Sequence, residues 1–199
     1  MEAFRTQERL ILASGSPRRR DFLAELGLAF EVRGTDIDET PLSGEQPVDF
    51  VARLSREKAQ AVDIPAAWVL AADTVVVVDG EILGKPGDAD EACAMLMRLS
   101  GRWHEVWTGF SLWRQATGEL CTKKVCTRVR FLALSPELCR AYVGTGEPLD
   151  KAGAYGIQGK GCFLVPEISG SYTNVVGLPM TEVLETLLHY KVIALMDGL

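Results

Sequence analysis

LAADTVVVVDGEILGKP, residues 70–86, decides the fold. Residues 75–78 are four consecutive valines, and such a β-branched run predicts a strand buried on both faces. Asp79-Gly80 supplies a tight turn, and residues 81–83 begin a returning strand. Asp73 therefore lies inside a core strand or immediately before it. A buried carboxylate is costly unless it is paired, hydrogen-bonded or holding a metal. Lys85 follows the hairpin in Gly84-Lys85-Pro86, and the fold-back of the second strand returns it toward Asp73. A capping aspartate and a solvated lysine are the plainer account of the same two residues.

Upstream, residues 9–14 (RLILAS) predict a first strand running into Gly15-Ser16-Pro17. Ser16 suits the N-cap and Pro17 the first helical position of a short helix over 18–26, stopped at Gly27. A strand, a tight turn and a helix N-terminus form an anion seat, because the first backbone N–H groups are unpaired and the dipole favours negative charge. Arg18, Arg19 and Arg20 occupy that first turn, where the dipole disfavours cations. A bound phosphate would compensate them, with Arg18 and Arg19 as its contacts; a solvated basic face is the alternative. Residues 29–33 predict a second strand. The following segment is acidic, with Asp36, Asp38 and Glu39. It is either simply solvated or, folded toward Asp73, the source of a second carboxylate for magnesium or manganese, which take oxygen ligands. Residues 47–62 have helical periodicity. Arg53, Glu57 and Lys58 lie on or beside its polar side; an Arg53–Glu57 surface pair is expected there, and Lys58 is a candidate triphosphate contact.

Downstream, Asp88 and Glu91 form a capping box for a helix ending near Leu99. Residues 103–113 and 123–132 predict two long strands, a curled arm or sheet extension that could carry a dimer contact. His104, among tryptophans, reads as a structural hydrogen bonder. Ser135-Pro136-Glu137 opens another helix. Residues 144–161 hold six glycines with Asp150, Lys151, Tyr155 and Gln158, and read as a ligand-facing loop or as a glycine-rich linker. The Gln158 amide offers a donor and an acceptor, which suits a base edge. Residues 162–168 predict a strand, residues 170–177 a turn-rich stretch, and Pro179 opens a terminal helix.

The chain has 199 residues, is 47% hydrophobic and carries a formal net charge of −6. That length suits one core or two closely joined lobes. The acidic balance argues against nucleic acid and anionic membranes as partners. Five cysteines without a Cys-x-x-Cys pair, and only two histidines, predict no structural zinc and reduced, intracellular thiols. The polar start and the lack of a membrane-length apolar run predict a cytoplasmic protein with no membrane partner.

The chain resembles the Maf family of nucleotide pyrophosphatases. The resemblance rests on ASGSPRR at 13–19, DIDET at 36–40, AADTVV at 71–76, GKP at 84–86, SGRWHEVWTG at 100–109, KAGAYGIQGKG at 151–161 and GSYTNVVGLP at 170–179. It covers nearly the whole chain in the expected order. It implies an α/β fold with a mixed twisted sheet, flanking helices and two lobes around a deep cleft, all within one domain spanning 1–199. It further implies a divalent metal cofactor, Mg2+ or Mn2+, a homodimer, and hydrolysis of nucleoside triphosphates to monophosphate and pyrophosphate. By the same resemblance, Ser14, Arg18 and Arg19 are the phosphate loop, and Glu39 and Asp73 the metal or base positions. Lys58 and Lys85 contact phosphates, and Thr74 and Gln158 distinguish substrate branches. The wording around Gln158 is similar to that of the branch preferring dTTP and UTP. Phe22-Leu23 stands where the family usually has paired leucines, a change in packing alone. On this reading water attacks the α-phosphorus, with Asp73 as the base and Arg18, Lys58 and Lys85 stabilising charge. A phosphohydrolase releasing inorganic phosphate, and a non-enzymatic division regulator or nucleic-acid binder, are the alternatives.

Overall fold

The computed structural model describes residues 3–196. In chain order the strands and helices are β1 (Phe4–Thr6), β2 (Leu10–Leu12), α1 (Pro17–Glu25), β3 (Glu31–Val32), α2 (Pro47–Gln60), β4 (Trp68–Val78), β5 (Glu81–Leu83), α3 (Ala89–Leu99), β6 (Trp103–Arg114), β7 (Glu119–Arg130), α4 (Pro136–Val143), β8 (Glu167–Ser169), α5 (Tyr172–Val176), α6 (Met180–His189) and β9 (Ile193–Leu195). The main sheet has the order β3-β2-β4-β6-β7-β8, with β5 also paired to β4. It is mixed: β2 runs parallel to β3 and β4, whereas β5 is antiparallel to β4 and β8 to β7. β1 and β9 form a separate antiparallel pair. The α/β class with flanking helices is as the sequence predicts. Of the two readings of 103–132, an arm or a sheet extension, the structure has the second: β6 and β7 are interior members of the sheet, β6 lying next to β4.

The chain forms two compact units. One comprises the residues up to Asp73, Thr108–Lys124 and the residues from Gly177 on; the other comprises Thr74–Trp107 and Val125–Val176. In the first unit, strand alternation sorts side chains onto two faces. Leu10, Leu12, Trp68, Leu70 and Ala72 join Leu23, Val183 and Leu187 in one core. Ile11, Ala13, Val69 and Ala71 join Ala59 and Val62 in another. Both faces of β2 and of the start of β4 are thus covered, which is why these strands read as unbroken apolar runs. Helix α2 lies close against β6: a Cβ at Gly109 would stand 2.4 Å from the Val51 carbonyl oxygen. Only glycine permits that approach. Ser55 and Ser111 satisfy each other across it at 2.8 Å.

The second unit packs Val76, Val78, Leu96, Leu99, Val129, Phe131 and Tyr155 into its own core. Helices α3 and α4 start where the sequence places them. Asp88 accepts from the Glu91 N–H at 2.8 Å and Ser135 from the Leu138 N–H at 3.2 Å. The Glu91 carboxylate reaches back to the Gly87 N–H at 2.7 Å, one residue earlier than a capping box predicts. Three short 3-10 turns, Glu147–Asp150, Ala152–Ala154 and Gly159–Leu164, fill the glycine-rich region. The strand expected over 162–168 is shifted to Glu167–Ser169, because the last of these turns runs through Leu164 and Pro166 lacks an N–H to donate. Residues 172–176 form α5 where turns are expected. Thr127 accepts from the Ser171 N–H at 3.0 Å, and the Asn174 amide donates to the Val106 carbonyl at 3.0 Å, pinning that turn of helix.

Candidate active site

Asp73 is interior to β4, and alternation sets its direction. It shares odd parity with Val69 and Ala71, whose face is the one α2 covers. On α2 the buried stripe is Phe50, Val51, Leu54, Ser55, Lys58 and Ala59. Lys58 therefore belongs to the helix face that packs inward, and not to the polar side where the sequence places it; it lies in the last turn, where the dipole favours a cation. The two meet: Lys58 Nζ lies 2.7 Å from Asp73 Oδ1, with side-chain exposures of 11% and 12%. The same ammonium lies 2.7 Å from Glu39 Oε1. Glu39 is on the acidic loop, which α2 itself anchors. Arg53 grips Glu45 with two bonds, of 2.7 and 2.8 Å, and donates to the Thr40 carbonyl at 3.1 Å. Arg53 also pairs with Glu57 at 3.1 Å, the contact expected from helical spacing. Its guanidinium pKa is raised, mainly by the Glu45 hydrogen bonds. The acidic loop is thus held in place, and it delivers a carboxylate to Lys58.

At the strand-to-helix turn, Ser14 is buried and its hydroxyl accepts from the Ser16 N–H and from Arg19, each at 3.2 Å. Arg19 also donates to the Ala72 carbonyl and to the Gly177 carbonyl, each at 2.7 Å. Burial lowers its pKa below the ordinary guanidinium value; Asp73 opposes this, Arg18 adds to it and Glu39 opposes it. Arg19 braces the strand ends from within the first unit. Arg18, half-buried beside it, has no hydrogen bond or ion pair among the described residues. Arg20 faces Asp21 at 3.5 Å, as a solvated residue would.

The structure thus gathers Ser14 with Arg19, and Glu39 and Asp73 around Lys58, within the first unit. Thr74, Lys85 and Gln158 belong to the second. Lys85 is exposed in the corner after β5. That corner is tied to the glycine-rich region, because the Gly153 N–H donates to the Gly84 carbonyl at 2.9 Å. Gln158 is exposed at the start of the last 3-10 turn. His104 is buried, with its Nε2 2.7 Å from the Tyr155 hydroxyl, and burial lowers its pKa to about 4. It is a neutral structural ring, as expected. The sequence reading passes over Glu45, which lies in a loop with no periodicity to link it to Arg53. It also passes over the backbone carbonyls that hold Arg19, which leave no mark in a sequence.

No group of three or more His, Cys, Asp or Glu side chains suited to a metal occurs among the described residues. Nor is any helix among them long and apolar enough to cross a membrane. What the residues assemble is an α/β protein with two carboxylates converging on a buried cation, and an arginine-bearing strand-to-helix turn whose Arg19 bonds the carbonyl of Ala72, next to Asp73 in the chain. The chain belongs to the Maf-like protein family, whose model matches residues 9–190. It is 57% identical over 178 residues to a dTTP/UTP pyrophosphatase of Myxococcus xanthus (strain DK1622), covering 88% of this chain and 89% of the relative. It is 50% identical over 194 residues to a dTTP/UTP pyrophosphatase of Desulfotalea psychrophila (strain LSv54 / DSM 12343), covering 96% of this chain and 100% of the relative. A third, from Geobacter metallireducens (strain ATCC 53774 / DSM 7210 / GS-15), is 50% identical over 181 residues, covering 90% of this chain and 94% of the relative.

Proposed function

We propose that this chain hydrolyses dTTP and UTP to the monophosphates and pyrophosphate. The observation that carries the reading is the Glu39–Lys58–Asp73 cluster, in a chain whose near-full-length relatives bear that activity in their names. Water attacks the α-phosphorus, its proton passes to the Asp73 carboxylate, and the bond to the β-phosphate oxygen breaks with pyrophosphate as leaving group. Arg18, without a hydrogen bond or ion pair among the described residues, binds phosphate oxygens, and Lys58 and Lys85 add positive charge where it develops. Ser14 and Arg19 hold the shape of the turn that presents Arg18. Thr74 and Gln158 select the nucleotide, Gln158 by pairing with the O4 and N3–H edge of uracil or thymine.

The donor set suits Mg2+ or Mn2+. Glu39 and Asp73 are oxygen ligands that already converge on one cation, the Lys58 ammonium. These two carboxylates would hold the metal, which when bound would neutralise charge on the polyphosphate. A homodimer in the cytoplasm, acting on small-molecule nucleotides and on neither nucleic acid nor membrane, completes the proposal.

The test is product analysis across the common nucleoside triphosphates for wild type, Asp73→Asn and Gln158→Ala. Wild type is expected to release pyrophosphate, with UTP favoured over CTP by roughly one to two decades, the worth of one mispaired buried polar contact. Asp73→Asn should lose turnover while staying folded, and Gln158→Ala should narrow the UTP–CTP gap. Release of inorganic phosphate alone, or a preference for a purine triphosphate, would refute the reading.

A further inference from the structure

The Gln158 amide has no hydrogen-bond partner among the described residues, yet the backbone on both sides of it is fixed. Glu147 does most of the fixing. Its Oε2 accepts from the Lys160 N–H at 2.8 Å and its Oε1 from the Gly161 N–H at 2.9 Å. Oε1 also accepts from the Tyr142 hydroxyl at 3.0 Å, and that hydroxyl in turn accepts from the Gly156 N–H at 3.2 Å. One carboxylate and one phenol thus grip the chain two residues before Gln158 and two and three residues after it. Two glycines make room for them. A Cβ at Gly159, where φ is +70°, would stand 2.7 Å from Glu147 Oε2; one at Gly161 would stand 2.5 Å from the Tyr142 oxygen. The glycine-rich wording of this segment is therefore a steric requirement of the clamp as much as a conformational one. Lys151 holds the other end of Glu147, donating to its main-chain carbonyl at 2.9 Å.

We propose that Glu147, with Tyr142, is a positioning residue for nucleotide selection: it holds residues 156–161 so that the Gln158 amide is presented in a single orientation. This rests on the base-reading role proposed for Gln158. Burial works to raise the Glu147 pKa, but the Lys160 N–H, the Tyr142 hydroxyl, the Gly161 N–H and the Lys151 charge together outweigh it, and the net shift is downward. The carboxylate is ionised at neutral pH, and charge-assisted hydrogen bonds of this kind are the stronger sort.

The experiment compares full-length wild type, Glu147→Gln, Tyr142→Phe, Gln158→Ala and Glu147→Gln/Gln158→Ala. It measures UTP and CTP kinetics together with amide hydrogen exchange. Glu147→Gln is expected to lower protection of the Lys160 and Gly161 amides by about tenfold. It should also narrow the UTP–CTP ratio by about fivefold, the worth of one ordinary hydrogen bond, with KM for UTP rising more than kcat falls. Tyr142→Phe should shift protection at Gly156 in the same direction. In the Gln158→Ala background, Glu147→Gln should change selectivity no further, because both act through one amide. Unchanged amide protection in both Glu147→Gln and Tyr142→Phe, or a selectivity loss that adds fully to that of Gln158→Ala, overturns the proposal. If Gln158→Ala itself leaves selectivity intact, the base-reading role falls; the exchange data still decide whether Glu147 holds the segment.

Discussion

Lys58 is shared by two carboxylates of unequal burial, and this inequality predicts how the cluster responds to losing each member. In Lys58→Met the Asp73 side chain, 12% exposed, is left charged and unpaired, whereas Glu39, 57% exposed, turns to water. Stranding one partner of a buried pair costs about 3–5 kcal/mol, and an exposed partner adds well under 1 kcal/mol. Methionine nearly conserves the lysine volume, so packing contributes little. In Asp73→Asn the ammonium keeps Glu39 at 2.7 Å and an amide oxygen in place of Oδ1. The expected cost is about 1 kcal/mol. For a chain of this length each kcal/mol is worth about 2–4 °C in Tm. Lys58→Met should therefore melt at least roughly 6 °C below wild type, and Asp73→Asn only a few degrees below it, although both lose turnover. The double variant should recover part of the Lys58→Met deficit, since no buried charge is then stranded. Denaturant midpoints with unchanged slopes would give the free energies directly. Asp73→Asn melting as low as Lys58→Met, or a double variant less stable than either, would refute the assignment of Asp73 as the buried member.

Four further outcomes follow from the same geometry. EDTA in excess should abolish pyrophosphate release, and Mg2+ or Mn2+ should restore it; undiminished turnover after chelation would contradict the role given to Glu39 and Asp73. Gly109→Ala should destabilise by about 1–3 kcal/mol or more through overpacking against the Val51 carbonyl, measurable as a lowered denaturant midpoint. His104 has a folded pKa of about 4 against an ordinary 6.5, so the unfolded chain binds the proton first; stability should fall as pH drops through that window, by roughly 3 kcal/mol at most, and His104→Gln should flatten the dependence. Arg18→Ala should raise KM with little change in Tm, whereas Arg19→Ala should lower Tm, because Arg19 fastens two backbone carbonyls and Arg18 none.

The fold was legible where burial acts through periodicity. The valine run marks β4 as doubly covered, and the stripe on α2 marks its inward face, because packing repeats with the backbone. Aspartate and serine caps located α3 and α4 to within a residue, since capping depends on local chemistry, and Pro17 located α1, whose Ser16 makes no side-chain cap hydrogen bond. The short edges were not legible. β1 and β9 are three residues each and exist through pairing with one another, a long-range contact with no local signature. The glycine-rich region was readable as unusual but not as three 3-10 turns, because its shape is set by Glu147 and Tyr142 from outside the segment.

For the site, the same division separates what is legible from what is not. Asp73 stood out because a carboxylate in an apolar strand has to be compensated, and that argument needs no partner to be named. Lys58 was visible only as a cation on a helix. Its standing on the buried stripe, at the spacing of Leu54 and Ser55, is what turns it from a surface lysine into the partner Asp73 required. Reading the two periodicities together, odd positions on β4 and the inward stripe on α2, makes their meeting a consequence of the pattern. Glu39 follows a different logic. Its loop has no period, and it reaches Lys58 because Arg53, also on α2, holds Glu45 and the Thr40 carbonyl. One helix therefore supplies the cation that pairs with the strand carboxylate and the anchor that brings in the loop carboxylate. A shift of α2 would disturb both carboxylates at once. The Gly109 contact, which fixes how closely α2 approaches the sheet, is in this sense part of the architecture of the candidate site, although no atom of it is available for chemistry.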